Sequence, residues 1–251
     1  MGEAPASRRG RWRIRRLDTI DSTNRWLLDE ARSGAPEGLV VIADHQTAGR
    51  GRRGRVWSAP RGSSLLVSVL VRPRVGIGRV HLLTMAAGCA LRVAIEQVAG
   101  VQADLKWPND LVVGERKLAG LLAETELSAG GDVEAVVIGV GCNVEWHDFP
   151  PELAEGATAC NLEAGRPVDR AQILDVFLDE LAARLDDLDA VPDAYRDALA
   201  TLGRRVRVDL GARLIEGTAT DLDESGRLVV TTRDGEIEIV TVGDVVHLRD
   251  A

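Results

Sequence analysis

Several short stretches of this 251-residue chain bring together residue types that do chemistry in combination. The densest is Gly49-Arg50-Gly51-Arg52-Arg53-Gly54-Arg55. Its glycines let the backbone approach a ligand and adopt positive φ. Its guanidiniums are forked donors suited to carboxylate and phosphate oxygens. Four arginines within six residues also repel one another. The loop is therefore expected to be mobile without an anion and to fold down onto one. A nucleic-acid-binding segment of RGG type, or a plain solvated loop, has the same composition. The pattern GxxxxGK[ST] is absent, so this is not a Walker-type phosphate loop.

A second stretch is Lys106-Trp107-Pro108-Asn109-Asp110. Proline holds Trp107 in an extended conformation. A lysine, an amide and a carboxylate so close together suit a phosphate accompanied by Mg²⁺, with Asp110 as a candidate ligand of the ion. An ordinary turn with one salt bridge would read the same way. Lys117 opens the apolar run Leu118-Ala119-Gly120-Leu121-Leu122. Such a lysine either guards a sheet edge or reaches into a site. Gly139-Val140-Gly141-Cys142-Asn143 places two glycines in an otherwise apolar strand, which marks close approach of a ligand or tight packing without one.

These stretches need elements to position them. Ser22-Thr23-Asn24 precedes Trp26, Leu27, Leu28 and Ala31, so a short helix capped by Ser22 or Thr23 is predicted. Strands are predicted at Leu39–Ala43, Ser64–Val71, Asp104–Trp107, Leu111–Val113, Lys117–Glu126 and Val133–Val144. Helical periodicity runs through Arg79–Val98 and again through Asp169–Leu188, with residues 145–166 a long connection. Residues 1–16 read as an arginine-rich arm running into a first strand, although six arginines from Arg8 to Arg16 could also touch nucleic acid. After Leu202 the texture changes. Arg205–Leu210, Ile215–Asp221, Leu228–Thr232, Glu236–Val240 and Val245–Arg249 are closely spaced short strands, with hairpin signals at Ser225-Gly226 and Asp234-Gly235. They predict a small antiparallel barrel.

Composition narrows the function. Acidic residues number 39 against 31 basic, a formal charge of −8, which disfavours a general nucleic-acid binder. Cys89, Cys142 and Cys160 lack CxxC spacing, which argues against a disulfide framework and a zinc cluster. His45, His81, His147 and His247 form no HExxH pair, so a zinc hydrolase is not expected. No unbroken apolar run reaches membrane length and no apolar stretch follows the N-terminal arginines, so a cytoplasmic protein without membrane contact is expected.

Taken in order, Ser22-Thr23-Asn24, Gln46-Thr47-Ala48-Gly49-Arg50-Gly51-Arg52, Lys106 to Asp110, Lys117-Leu118-Ala119-Gly120 and Gly139-x-Gly-x-Asn143 closely resemble the bacterial biotin protein ligases. The resemblance spans roughly residues 17–165, and Gly243-Asp244-Val245-Val246-His247-Leu248-Arg249 resembles that family's C-terminal barrel. It implies an α+β fold: a mixed sheet with helices on one side, of the class II aminoacyl-tRNA synthetase-like type, over residues 17–202. An SH3-like barrel over 203–251 would follow. It also implies a monofunctional member without the winged helix of regulatory members, since only about 16 residues precede the catalytic region.

The implied substrates are biotin and ATP with Mg²⁺. The implied partner is the biotin carboxyl carrier domain of an acyl-CoA carboxylase, with no specific DNA; the oligomeric state is left open. By the resemblance, Ser22, Thr23, Asn24 and Gln46 would hold the ends of biotin. Gly49, Arg50, Gly51 and Arg52 would close over its carboxylate and the α-phosphate. Gly120, Leu122, Gly139 and Gly141 would line the ring pocket. Arg55, Trp57, Asn109 and Asn143 would face the nucleotide, although Trp57 could equally be packing. Arg50, Arg52, Lys106, Asp110 and Lys117 would form the catalytic set. A lipoate or octanoyl transferase on the same fold is the nearest rival, and a nucleic-acid-binding repressor is a rival of another class.

Overall fold

The computed structural model describes residues 8–211, 213–241 and 243–248. Residues 1–7 of the arginine-rich arm, and Arg249 of the C-terminal motif, lie outside them. A 3₁₀ turn at Arg8–Arg11 leads into β1 (Arg13–Ile20), so the boundary expected after residue 16 falls inside a strand.

There follow α1 (Thr23–Arg32), β2 (Leu39–Gln46), β3 (Ser64–Val71), α2 (His81–Ala99), β4 (Asp104–Lys106), β5 (Asp110–Val113), β6 (Arg116–Leu127) and β7 (Val133–Asn143). The connection after β7 contains two short helices not read in the sequence, α3 (Pro151–Ala154) and α4 (Cys160–Ala164). Next come α5 (Arg170–Asp186) and α6 (Val191–Asp197). The chain ends in β8 (Arg205–Asp209), β9 (Leu214–Leu222), β10 (Leu228–Thr232), β11 (Ile237–Val240) and β12 (Asp244–His247).

The first seven strands form one mixed sheet in the order β1-β2-β3-β7-β6-β5-β4. Only β1 and β2 pair in parallel; the other pairs are antiparallel. β3, with every residue buried, lies at the centre beside β7, as its apolar run requires. Both faces are covered. α1 packs Leu27, Leu28 and Ala31 against Val41, Leu70 and Val137 on one face. The opposite face, with Val40, Ile42, Val67 and Val69, packs against α2 and α5. This corrects the expectation of helices on one side. Side chains alternate along a strand, and these strands carry apolar residues at both parities.

The segment Ile77–Ala99 is long and apolar enough to cross a membrane by composition, but 67% of its most apolar window is buried inside the fold. That is the environment of a helix apolar nearly all round at the centre of a protein.

The last five strands form an antiparallel sheet, β11-β10-β9-β8-β12. It shares the main core through Val206, Val208, Ile215 and Leu228. Polar contacts fix its placement. Trp107 Nε1 donates to Gly226 O (3.4 Å), and Arg196 Nε donates to Asp221 (3.0 Å). Arg204 pairs with Glu115 (2.5 Å).

At the same junction His247 has a side chain only 5% exposed, with Glu115 3.8 Å from its Nδ1. Its Nε2 lies 3.2 Å from Thr201 Oγ1. Burial first, then the charges of Lys106 and Arg204, bring its pKa down to about 4 against the pull of Glu115. The unfolded chain takes up that proton near pH 6.5, so the folded state loses stability as pH falls from there toward 4. Proton linkage puts the loss at pH 5 at about 2 kcal/mol. His247→Gln should therefore flatten the fall in Tm between neutral pH and pH 5 seen in the wild type. Equal slopes in the two proteins would contradict this assignment.

Candidate active site

The arginine loop is a tight hairpin laid over the sheet. Gly51 N donates to Arg55 O (2.7 Å), Trp57 N donates to Gly49 O (3.0 Å), and Arg50 bridges to Val56. Arg53 (φ 53°) and Gly54 (φ 73°) make its tip in the left-handed region. Gly49 permits the closure. A Cβ there would stand 2.3 Å from Trp57 O and 2.9 Å from Gln46 Nε2.

Below the hairpin lies a cavity of about 280 Å³. Its polar end is built by α1 and β2 and includes Ser22, Thr23, Asn24 and Gln46. Ser22 is the N-cap of α1, accepting from Arg25 N, so cap and site residue coincide. Gln46 Oε1 accepts from Thr23 N (2.7 Å) and Oγ1 (3.0 Å). Asn24 Nδ2 donates to Leu122 O (3.1 Å) and Glu124 (2.9 Å). Ser68 Oγ sits beneath, 2.8 Å from Thr23 Oγ1 and 2.6 Å from Asn24 Oδ1. Ser68 and Glu124 were not singled out in the sequence. Ser68 is a lone hydroxyl in an apolar strand, and Glu124 falls in the strand after Leu122; neither lies in a recognisable motif.

The floor is the central β6–β7 pair. Gly120, Leu122, Gly139, Gly141 and Asn143 all line the cavity. A Cβ on Gly141 would come within 2.5 Å of Trp57 Cε2, and one on Gly139 within 2.1 Å of Asn24 Oδ1. The glycines thus accommodate specific side chains. Trp57 lies over Gly141 inside the cavity, with its Nε1 buried and unpartnered among the described residues. Asn143 Nδ2 donates to Thr158 O (3.0 Å). The far wall holds Trp146, stacked on Phe149 (4.3 Å), together with Leu153. This wall belongs to the connection read only as a loop. The Trp-x-x-Phe spacing was its single signal.

Arg50, Gly51, Arg52, Arg55, Asn109 and Lys117 supply the cationic side of the cavity. Lys117 Nζ is 2.7 Å from Asp110 Oδ1, at an angle outside hydrogen-bonding geometry, and 5.6 Å from the centre of the Trp57 ring. Lys117 pairs with Val112 of β5 on one side, and on the other its backbone donates to Gly156 O and accepts from Thr158 N, so the sheet-edge reading of Lys117 fails.

Arg52 Nη1 donates to Asn109 Oδ1 (3.0 Å), and Nη2 donates to Gly243 O (3.1 Å). Burial lowers the pKa of Arg52, and Asp244 and then Asp110 oppose that shift. A guanidinium in this setting remains cationic.

Three expected site residues do not line the cavity: Gly49, Lys106 and Asp110. Asp110 contacts it through Lys117. Lys106 lies on the edge strand β4, and its charge acts on Glu115 and His247 at the junction with the C-terminal sheet. The expectation of a mobile loop also needs correction in its premise. The arginine charges are compensated: Arg50 by Glu124 (3.0 Å), Arg55 by Asp244 (2.8 Å), and Arg53 by Asp244 (3.5 Å) and Asp209 (3.8 Å).

Gly139 sits between two paired strands and cannot shift. Gly139→Ala should therefore expel Asn24 from its bonds to Ser68 and Leu122 and cost about 1–3 kcal/mol, the usual range for overpacking. Thermal denaturation tests this, and an unchanged Tm would contradict the packing argument.

Comparison with known proteins agrees with this geometry. Residues 17–143 match the biotin/lipoate A/B protein ligase family, and residues 201–248 match the biotin protein ligase C-terminal domain. The chain is 41% identical to a biotin–[acetyl-CoA-carboxylase] ligase of Mycobacterium tuberculosis, over 94% of this chain and 90% of that protein. It is 34% identical to a bifunctional ligase/repressor of Bacillus subtilis, over 87% and 69%. Among solved structures it resembles the Aquifex aeolicus biotin protein ligase in complex with biotin and ATP, with TM-score 0.81 and 27% identity, covering 94% of this chain and 99% of that one. A single cavity with a polar end, a glycine floor and an arginine hairpin, on a chain so matched along both sheets, places this protein in the biotin/lipoate A/B protein ligase family.

Proposed function

We propose that this protein is a biotin protein ligase that activates biotin with ATP and passes it to a lysine of a carboxylase carrier domain. One observation carries the reading. A single cavity joins a neutral hydrogen-bonding end and a glycine-floored apolar middle to a side bearing Arg50, Arg52 and Lys117. A compact apolar ring with polar ureido atoms and an anionic tail suits that order of surfaces. The relatives named as biotin–[acetyl-CoA-carboxylase] ligases support the acceptor.

In the first half-reaction a biotin carboxylate oxygen attacks the α-phosphorus of ATP. The bond to the bridging oxygen breaks and pyrophosphate leaves. Both reactants are anions, so the site must supply positive charge where they meet. Lys117, Arg50 and Arg52 are assigned that role, with Arg55 and Asn109 beside the nucleotide. Asp110 orients Lys117, and Asn109 orients Arg52. Lys106 leaves the catalytic set and becomes a residue of the domain junction. Trp57, already over the glycine floor, is assigned to the adenine, with Asn143 on the same side. Ser22, Thr23, Asn24 and Gln46 take the polar atoms of biotin. In the second half-reaction a neutral lysine amine displaces AMP from the mixed anhydride, while the hairpin limits access of water.

Among the described residues no three His, Cys, Asp or Glu side chains cluster to hold a metal. Asp110 is committed to Lys117. These residues do not fit a resident ion, and Mg²⁺ is assigned to the nucleotide as MgATP. We read the chain from β1 to residue 202 as the biotin- and ATP-binding unit, of the class II synthetase-like type, and the part that follows as an SH3-like unit. Cys89, Cys142 and Cys160 are free and buried, which suits a reducing compartment such as the cytoplasm.

The test is ATP–pyrophosphate exchange. Exchange should depend on biotin and resist competition by lipoate; dependence on lipoate instead would sink the reading. In the same assay Lys117→Ala should remove about 2–4 kcal/mol of transition-state stabilisation. Undiminished exchange combined with a lower Tm would make Lys117 a structural residue.

A further inference from the structure

The C-terminal sheet touches the arginine hairpin chiefly through one acid, Asp244, with the Asp209 carboxylate farther off at 3.8 Å from Arg53. Asp244 is the first residue of β12 and pairs in register with Asp209 of β8. Its Oδ1 accepts from Arg55 Nη2 (2.8 Å) and lies 3.7 Å from Arg52 Nη1. Its Oδ2 takes Arg53 Nη1 (3.5 Å). Adjacent backbone completes the contact. Gly243 O accepts from Arg52 Nη2 (3.1 Å), and Asp209 O accepts from Arg53 Nη2 (3.1 Å). One carboxylate therefore faces three of the four hairpin arginines; the fourth, Arg50, is paired with Glu124 on the other side.

Neither Asp244 nor Arg53 lines the cavity, whereas Arg52 and Arg55 do. Asp244 is thus placed to act through the arginines and not on a ligand. Without it, three like charges would crowd one side of a hairpin whose tip already holds Arg53 at positive φ. Like charges at such separations repel appreciably when partly buried. With it, Arg52 is held pointing at Asn109 and into the cavity.

We propose that Asp244 is a positioning residue: a clasp through which the C-terminal sheet holds the arginine hairpin over the cavity and sets its grip on the nucleotide. The catalytic consequence rests on the ligase reading above; the clasp itself does not. Charge-assisted contacts of this kind are among the stronger hydrogen bonds. Loss of the shared acid should loosen the loop and weaken nucleotide binding by about tenfold, the effect of one modest contact. The chemical step also draws on Lys117 and on Arg50, which is paired with Glu124 and not with Asp244, so it should change less than nucleotide binding once the nucleotide is saturating.

The test uses Asp244→Asn, Asp244→Glu and Arg53→Gln in the full chain. Trypsin cleavage of the ligand-free protein reads the loop directly at Arg52 and Arg55, the sites common to every variant. Biotin-dependent exchange reads KM for ATP apart from kcat. Asp244→Asn should raise the cleavage rate and the KM about tenfold, with kcat within about twofold of wild type. Asp244→Glu should restore most of both. Arg53→Gln removes one of the three crowded charges, so it should be milder than Asp244→Asn and should partly offset it in the double variant, because the two sites are coupled. If Asp244→Asn does not fold, Asp244→Ser removes the same carboxylate and reads the same contacts. Unchanged cleavage and unchanged KM in a folded variant, or a fall in kcat at constant KM, would overturn the proposal. A wild type without biotin-dependent exchange would overturn the ligase reading, while the cleavage comparison would still decide the clasp.

Discussion

Concentrated positive charge is the constraint around which this molecule is organised. Joining a carboxylate to a phosphate means bringing two anions together, and the hairpin holds four guanidiniums within six residues, three of them lining the cavity. Those charges destabilise each other unless acids stand nearby. The fold supplies them from separate elements: Glu124 from β6 and Asp244 from β12. Asn109, in the turn between β4 and β5, takes the remaining guanidinium edge of Arg52. Placing these partners correctly requires the central sheet, the β4–β5 turn and the C-terminal sheet all to be in register.

The same sheet explains the other half of the cavity. β6 and β7 are paired on both sides, so their backbones cannot yield, and space above them comes only from missing side chains. Gly139 and Gly141 provide it, one for Asn24 and the other for Trp57. The polar end then follows from the helix cap. Ser22 ends the approach to α1, and the next two side chains, Thr23 and Asn24, point into a network closed by Gln46 and Ser68. Thr23, Asn24 and Ser68 in that network are buried and hydrogen-bonded, the condition under which polar groups hold a fixed geometry.

Much of this was legible in the sequence because each motif had a local physical cause. Glycine pairs in an apolar strand, a proline-restrained turn and a capped helix all announce themselves within a few residues. The unread parts depend on distant partners. Ser68 looks like any hydroxyl in a buried strand until Thr23 and Asn24 are placed above it. Lys106 has the right type for phosphate, but its strand lies at the sheet edge, and its charge serves the junction around Glu115 and His247. The aromatic wall of Trp146 and Phe149 sits where no helical or strand period could reveal it. Compensation of the loop charge was invisible because Asp244 is nearly two hundred residues away from the arginines it meets.

The central claim is that the cationic hairpin and the glycine floor together make and retain an acyl adenylate of biotin. Native mass spectrometry after incubation with biotin and MgATP tests it most directly. The account predicts a protein-bound species heavier by the mass of biotinyl-5′-AMP, absent when either substrate is omitted and discharged by a carrier domain. Protein that emerges carrying only biotin, only nucleotide or neither would contradict it.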